Sequence, residues 1–202
     1  MKVIEQLLAN AGILPIAGVD EAGRGACAGP LVIASVVLND PFAPELAVVR
    51  DSKEIPESKR DAVFELIHQV AASVSVVIVP ASEVDARGVH AANLDGMRRA
   101  VQGLNVEPAY VLTDGYAIEG LGVPNLAVWK GDQVVVSISA ASVIAKVTRD
   151  RIMREMDTEF PQYGFAGHKG YITAAHTKAL NEHGPCAQHR RSFANVAALI
   201  HK

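Results

Sequence analysis

Two rhythms of apolar positions run along this chain. Short β-branched runs bounded by Gly, Pro or Asp at Ile16–Val19, Leu31–Leu38 and Val74–Val79 predict strands, and their succession is compatible with a meander. Between the second and third, Val63, Leu66, Ile67 and Val70 recur at helical spacing behind Pro56, which suits a helix start. A second helical face follows in Leu94, Met97, Val101 and Leu104. "AYVLTDG" and "NLAVWKGD" then read as strands with polar ends, and a long helix is expected from near Ser137 to about Phe160. The remainder reads as a loop followed by shorter helices. Three strands, a helix and then strand–helix alternation predict an α/β fold, a mixed central sheet with helices on both sides.

Composition narrows the class. The 202 residues are 50% hydrophobic and 5% aromatic, enough apolar material for one substantial core and better suited to a helix-flanked sheet than to a sandwich. No linker, repeat or low-complexity tract divides the chain, so one domain, residues 1–202, is expected. Glu5 and Asn10 interrupt the N-terminal apolar segment, and no run reaches the roughly 18 apolar residues of a spanning helix. Cys27 and Cys186 make no disulfide framework. A soluble cytoplasmic protein with no membrane partner is the expectation. The net charge of −3 is unevenly spread: residues 1–129 carry 9 Lys/Arg against 16 Asp/Glu, and residues 130–202 carry 10 against 6. A basic C-terminal third beside an acidic remainder fits a phosphate-facing surface next to a metal-binding one, or ordinary surface variation.

The acids carry the chemistry. Asp20 and Glu21 end the first strand, Asp114 ends another, and Asp132 closes the turn after a third. Functional groups collect outside strand ends in open α/β sheets. Acids gathered there repel unless cations neutralise them, and oxygen ligands suit Mg²⁺ or Mn²⁺. Two such ions roughly 3.5–4 Å apart serve phosphodiester hydrolysis. Each acid taken singly also reads as a cap or turn residue. Gly23-Arg24-Gly25 is either a turn with a solvated arginine or a backbone that approaches a nucleic-acid strand. Ser139, Ser142, Lys146 and Arg149 or Asp150 form one helical stripe, fit for a backbone phosphate or for capping and solvent. Lys53 is a phosphate contact or a surface lysine. Tyr171 stacks on substrate or anchors its loop. His183, Cys186 and His189 offer three ligands spaced for zinc, one short of a structural site.

Six stretches, "GVDEAGRGACAGPLV", "DSK", "TDG", "KGD", "SAASVIAKVTRD" and "GHKGYITAAH", occur in an order that resembles bacterial ribonuclease HII over nearly the whole chain. The resemblance implies a ribonuclease-H-like fold whose helical C-terminal extension, about 161–202, binds substrate. It implies a monomeric endoribonuclease that cuts the RNA strand of RNA–DNA hybrids and incises at ribonucleotides embedded in duplex DNA. Two Mg²⁺ or Mn²⁺ ions would act with substrate bound, leaving 3′-hydroxyl and 5′-phosphate ends. By position, Asp20, Glu21, Asp114 and Asp132 are the acidic ligands. Gly23, Arg24, Gly25 and Tyr171 read the substrate, with Lys53, Ser139, Ser142 and Lys146 as further contacts. Ala26-Cys27 and Ile172 depart from the family's usual Pro-Leu and Gly or Pro, away from any ligand. A junction resolvase on the same fold, an actin-like ATPase domain and a catalytically silent nucleic-acid-binding module are the alternatives.

Overall fold

The computed structural model describes residues 3–200. The chain opens with helix α1 (Val3–Asn10) and runs through β1 (Ile16–Ala22) and β2 (Leu31–Leu38). Helix α2 (Glu57–Val70) leads into β3 (Ala71–Val79), followed by α3 (Ala81–Arg87) and α4 (Val89–Gln102). Then come β4 (Tyr110–Asp114), β5 (Asn125–Val128), the short α5 (Gly131–Val134) and the long α6 (Val136–Glu159). The C-terminal part holds α7 (Phe165–His168), α8 (Ala174–His183) and α9 (Ala194–Ile200).

The five strands form one mixed sheet ordered β3-β2-β1-β4-β5. β1, β2 and β3 make the expected antiparallel meander, while β4 and β5 add in parallel beside β1. Every residue of β2 is buried, which explains why its run is continuously apolar. Along β1, Ala17 and Val19 face α4, and Gly18, Asp20 and Ala22 face α6, because successive side chains leave opposite faces. A Cβ at Gly18 would run into the α6 backbone at Ser137 and Ile138, so glycine lets helix and sheet close.

α2 and α6 cover one face and α3 and α4 the other. Of the periodic positions, Val63, Ile67, Met97 and Val101 are buried, and Leu66, Val70, Leu94 and Leu104 are partly so. Three features differ from the sequence reading. β3 begins three residues earlier than expected, directly after α2, and β1 continues past both acids to Ala22. Asp132 sits in the first turn of α5 rather than in an open turn. Helix α1 earns its place through Glu5, whose buried carboxylate accepts the Val136 and Ser137 N–H groups at 2.9 and 3.0 Å, capping α6 from across the molecule.

Candidate active site

Parallel pairing of β1 with β4 sets Val19 opposite Thr113, so Asp20 and Asp114 leave their strands at the same level. Asp132 reaches the same point from α5. Each of Asp20, Asp114 and Asp132 offers a carboxylate oxygen within 4.8 Å of the others. Asp20 Oδ1 also accepts the Glu21 N–H at 2.7 Å, and Asp114 Oδ1 accepts the Gly131 N–H at 2.7 Å, tying the strands to α5.

The electrostatics of the cluster favour a bound positive charge. Burial first, then the carboxylates of Glu21 and Asp114, push Asp20 well above the ordinary carboxylate range. Burial, Asp114 and Asp51 raise Asp132 to about 6. Glu21, on the other face of β1, rises to about 7, mainly by burial and against the pull of Arg24. Its Oε2 is buried with no hydrogen bond, and Asn93 of α4 lies against it, tempering the rise without completing one. Lys53 Nζ stands 3.6 Å from Asp132 Oδ2. Burial works against its charge, but Asp51, Asp132, Asp20 and Asp114 outweigh that and raise its pKa. Oxygen-only donors with an orphaned carboxylate oxygen beside them are what a hard divalent cation fits.

The glycine-rich segment is held from behind by two fully buried arginines. Arg149 donates to the carbonyls of Pro30, Lys169 and Ala28 at 2.9, 2.8 and 3.0 Å. Arg190 donates to Gly29 O and Arg24 O, both at 3.1 Å. Burial lowers the pKa of both, with Arg190 at about 10. Gly23 has φ +89°, and a Cβ there would strike the Arg149 guanidinium, so this glycine is dictated by the fold. Gly25 is different: its φ lies outside the left-handed range and nothing described stands within 4 Å of a Cβ built on it. The fold would accept a side chain at Gly25, so the fold does not explain its glycine. Arg24 reaches forward instead, donating to the Tyr116 hydroxyl with its guanidinium 4.5 Å over that ring.

Tyr171 is brought alongside by the C-terminal part. Cys27 N–H donates to Gly170 O at 3.0 Å, and a Cβ at Gly170 would strike Ala28 O. His176 Nδ1 lies 2.9 Å from Tyr171 O, and its Nε2 lies 3.1 Å from His189 Nε2. The Tyr171 carbonyl can only accept, so Nδ1 of His176 carries its proton and His189 donates from Nε2. Burial lowers both histidine pKa values, His189 to about 4, keeping the pair neutral. Tyr171 as a whole remains 39% exposed.

A model of the family described as Ribonuclease HII matches residues 17–196. The chain belongs to the ribonuclease HII family. It is 58% identical over 192 residues to ribonuclease HII of Acidothermus cellulolyticus, covering 95% of this chain and 62% of that relative. The chain thus spans under two thirds of that relative's length. Among solved structures it is similar to ribonuclease H2 from Pyrococcus horikoshii OT3, with TM-score 0.79, 26% identity, and coverage of 91% of this chain and 96% of that one. RNase HII from Archaeoglobus fulgidus, solved in complex with PCNA, also gives TM-score 0.79 and 26% identity, over 89% of this chain and 95% of that one. The ribonuclease-H-like fold is therefore the fold of this member of the family.

Not every residue that the family resemblance singles out lies where it would touch a ligand. Three of the four acids form the tight cluster, while Glu21 lies outside it but lines the same groove. Gly23, Arg24, Gly25, Lys53, Ser142, Lys146 and Tyr171 line one continuous hollow with Asp20. Ser142 Oγ donates to Ser52 Oγ at 2.9 Å, and Lys146 Nζ donates to Asp150 at 2.8 Å. Ser139 is turned inward: fully buried, its hydroxyl bonds Asp132 O at 2.7 Å and Val135 O at 2.9 Å, bracing α5 on α6. The helical stripe therefore splits, because Arg149 is interior too. The histidine–cysteine trio does not assemble a metal cluster among the described residues, since His189 is engaged with His176 and with Cys186 N–H. Sequence reasoning passed over Asp51, Asn93 and Tyr116. Two of them left a signal: Asp51 opens the DSK stretch, where only Lys53 was given a role, and Asn93 is a polar residue one turn before Met97 on the buried face of its helix.

Proposed function

We propose that this chain is a metal-dependent endoribonuclease that hydrolyses the RNA strand of RNA–DNA hybrids and incises at ribonucleotides embedded in duplex DNA. The observation that supports it most is the juxtaposition of the Asp20–Asp114–Asp132 cluster with a glycine loop that is open at Gly25. Asp20, Glu21, Asp114 and Asp132 would hold two Mg²⁺ or Mn²⁺ ions. When bound, these supply an activated water and charge neutralisation at the departing 3′-oxygen.

The chain's own residues do the rest. Arg149 and Arg190 draw the carbonyls of residues 24, 28, 29 and 30 inward, stiffening the backbone that meets the sugar. A backbone approach at Gly25 reads the 2′-hydroxyl that separates RNA from DNA. Tyr171, on a loop fixed by His176, packs against the sugar beside the cut. Lys53 and Lys146 supply positive charge for phosphates, and Ser142 a hydroxyl. The segment 161–202 acts as a substrate-binding extension of a single domain, in a monomeric cytoplasmic enzyme. Among the described residues no helix is long and apolar enough to cross a membrane.

The test is cleavage of a DNA duplex carrying one ribonucleotide, beside an all-DNA control, with and without Mg²⁺. Cutting only the first duplex, only with the cation, and losing it by orders of magnitude in Asp20→Asn is the expected result. Cutting the all-DNA duplex equally, or a fully active Asp20→Asn protein, would overturn it.

A further inference from the structure

The largest apolar side chain in the protein is left in water beside the acids. Trp129, the only tryptophan, is 82% exposed. It follows Val128, the last residue of β5 to reach the core, and precedes Lys130, whose φ of 54° turns the chain into α5. Among the described residues no ring or cation–π partner accounts for an indole there. A tryptophan normally contributes through the 150–250 Å² or so that such side chains bury, and this one forgoes that.

What the indole does border is the groove. A hollow of about 500 Å³ is lined by Trp129 together with Asp114, Tyr116, Lys130 and Asp132. A second hollow of about 510 Å³ runs from the acids to Gly25, Lys146 and Tyr171. The two share Glu21, Arg24 and Lys53, so they form one groove with the carboxylate cluster in the middle. Exposed aromatic rings stand at its two arms, Tyr171 on one and Trp129 on the other. Basic side chains accompany both: Lys146 beside Tyr171, Lys130 beside Trp129, and Arg24 and Lys53 between. Aromatic faces interleaved with Lys and Arg are what a nucleic-acid strand recognises, rings for sugars and bases and cations for phosphates.

We propose that Trp129 is a substrate-binding residue. Its indole packs against the sugar–base face of the nucleotide on the Asp114 side of the acid cluster, across the scissile phosphate from the nucleotide that Tyr171 meets. The ring touches no metal ligand's chemistry. It holds the strand on both sides of the cut, so that the phosphate is fixed over the carboxylates. This rests on the nucleic-acid substrate proposed above.

Because Trp129 is the sole tryptophan, its fluorescence reports on this one position. The experiment adds a duplex with one ribonucleotide to the Asp20→Asn protein in Mg²⁺, following emission and acrylamide quenching. Binding should change the emission and shield the indole. Trp129→Ala should raise Kd, and KM in the otherwise native enzyme, by about 5- to 150-fold, the equivalent of about 1–3 kcal/mol for one stacked base. Its melting temperature should stay unchanged, and Trp129→Phe should recover most of the affinity. An indole that stays fully open to acrylamide in the complex, with an unchanged Kd in Trp129→Ala, would overturn the proposal. So would a Trp129→Ala effect on self-association alone, which would make the ring a protein contact. Native enzyme that cuts the duplex while Trp129→Ala cuts it equally well removes only the indole's role. A chain that neither binds nor cuts the duplex removes the nucleic-acid reading as well.

Discussion

Replacing Gly23 and Gly25 separately by alanine tests the division of labour within the glycine loop. At Gly23 the φ of +89° puts alanine in the left-handed region, at a cost of about 1–2 kcal/mol. The new Cβ also strikes Arg149, which holds three carbonyls in a fully buried site and has little room to yield. Overpacking of that kind costs about 1–3 kcal/mol more. At about 2–4 °C per kcal/mol for a chain of this size, Gly23→Ala should melt about 4–20 °C lower. Neither cost applies at Gly25, where a Cβ meets nothing described within 4 Å. Gly25→Ala should leave stability unchanged or raise it by about 0.4–1 kcal/mol, through the less flexible unfolded chain. Its Cβ would instead stand where the sugar must approach, and single-turnover cleavage of a one-ribonucleotide duplex should slow by about tenfold or more, the equivalent of about 1.4 kcal/mol of lost contact. Melting curves and cleavage rates on the same preparations decide the matter. A Gly25→Ala enzyme with native rates, or one whose activity falls only in step with its melting temperature, would refute the substrate role.

Without divalent cation, Glu21 at about 7 and Asp132 at about 6 bind protons more tightly folded than unfolded, so their stabilising contribution is present below the ordinary carboxylate range and lost as pH rises through about 6–7. His176 and His189 shift downward and oppose this as pH falls toward about 4, but they are common to both metal states. The rise in melting temperature on adding Mg²⁺ should therefore grow from about pH 5 to about pH 8, and a pH-independent rise would count against the acids as ligands. Tyr171→Ala should lower single-turnover cleavage roughly tenfold, consistent with about 1–3 kcal/mol of stacking, while Mg²⁺ affinity stays the same; a lower melting temperature with native turnover per folded molecule would make Tyr171 a loop anchor. Lys146→Ala should reduce the slope of log affinity against log salt by about one, as expected for a single phosphate contact. Arg190→Ala should leave that slope alone and lower stability, since two buried carbonyls lose their donor at about 1–3 kcal/mol each; the reverse pattern would place Arg190 on the substrate.

The strands, the helical faces and the four acids were legible in the sequence, because burial imposes a local period and acids at the ends of apolar runs stand out against it. The meander was legible too, since its three strands follow one another in the chain with no other strand between them, helix α2 intervening between β2 and β3. What the chain order could not express is which distant segments meet. Val19 pairs with Thr113 across more than ninety positions, and that single register brings Asp20 level with Asp114. Adjacent residues of a strand point to opposite faces, so Asp20 and Glu21, neighbours in sequence, enter different surroundings: one under α6, the other against Asn93 of α4. The charge count hid a related distinction. Arg149 and Arg190 count toward a basic C-terminal third, yet both are interior because the loop they support leaves carbonyls that only a buried donor can satisfy. Ser139 was drawn inward by the same demand from Asp132 O and Val135 O. Trp129 went the other way: its apolar neighbours in sequence suggest a strand interior, but β5 reaches the core only as far as Val128. A pattern of side chains records which residues seek burial; the packing of sheet, helix and loop settles which of them find it.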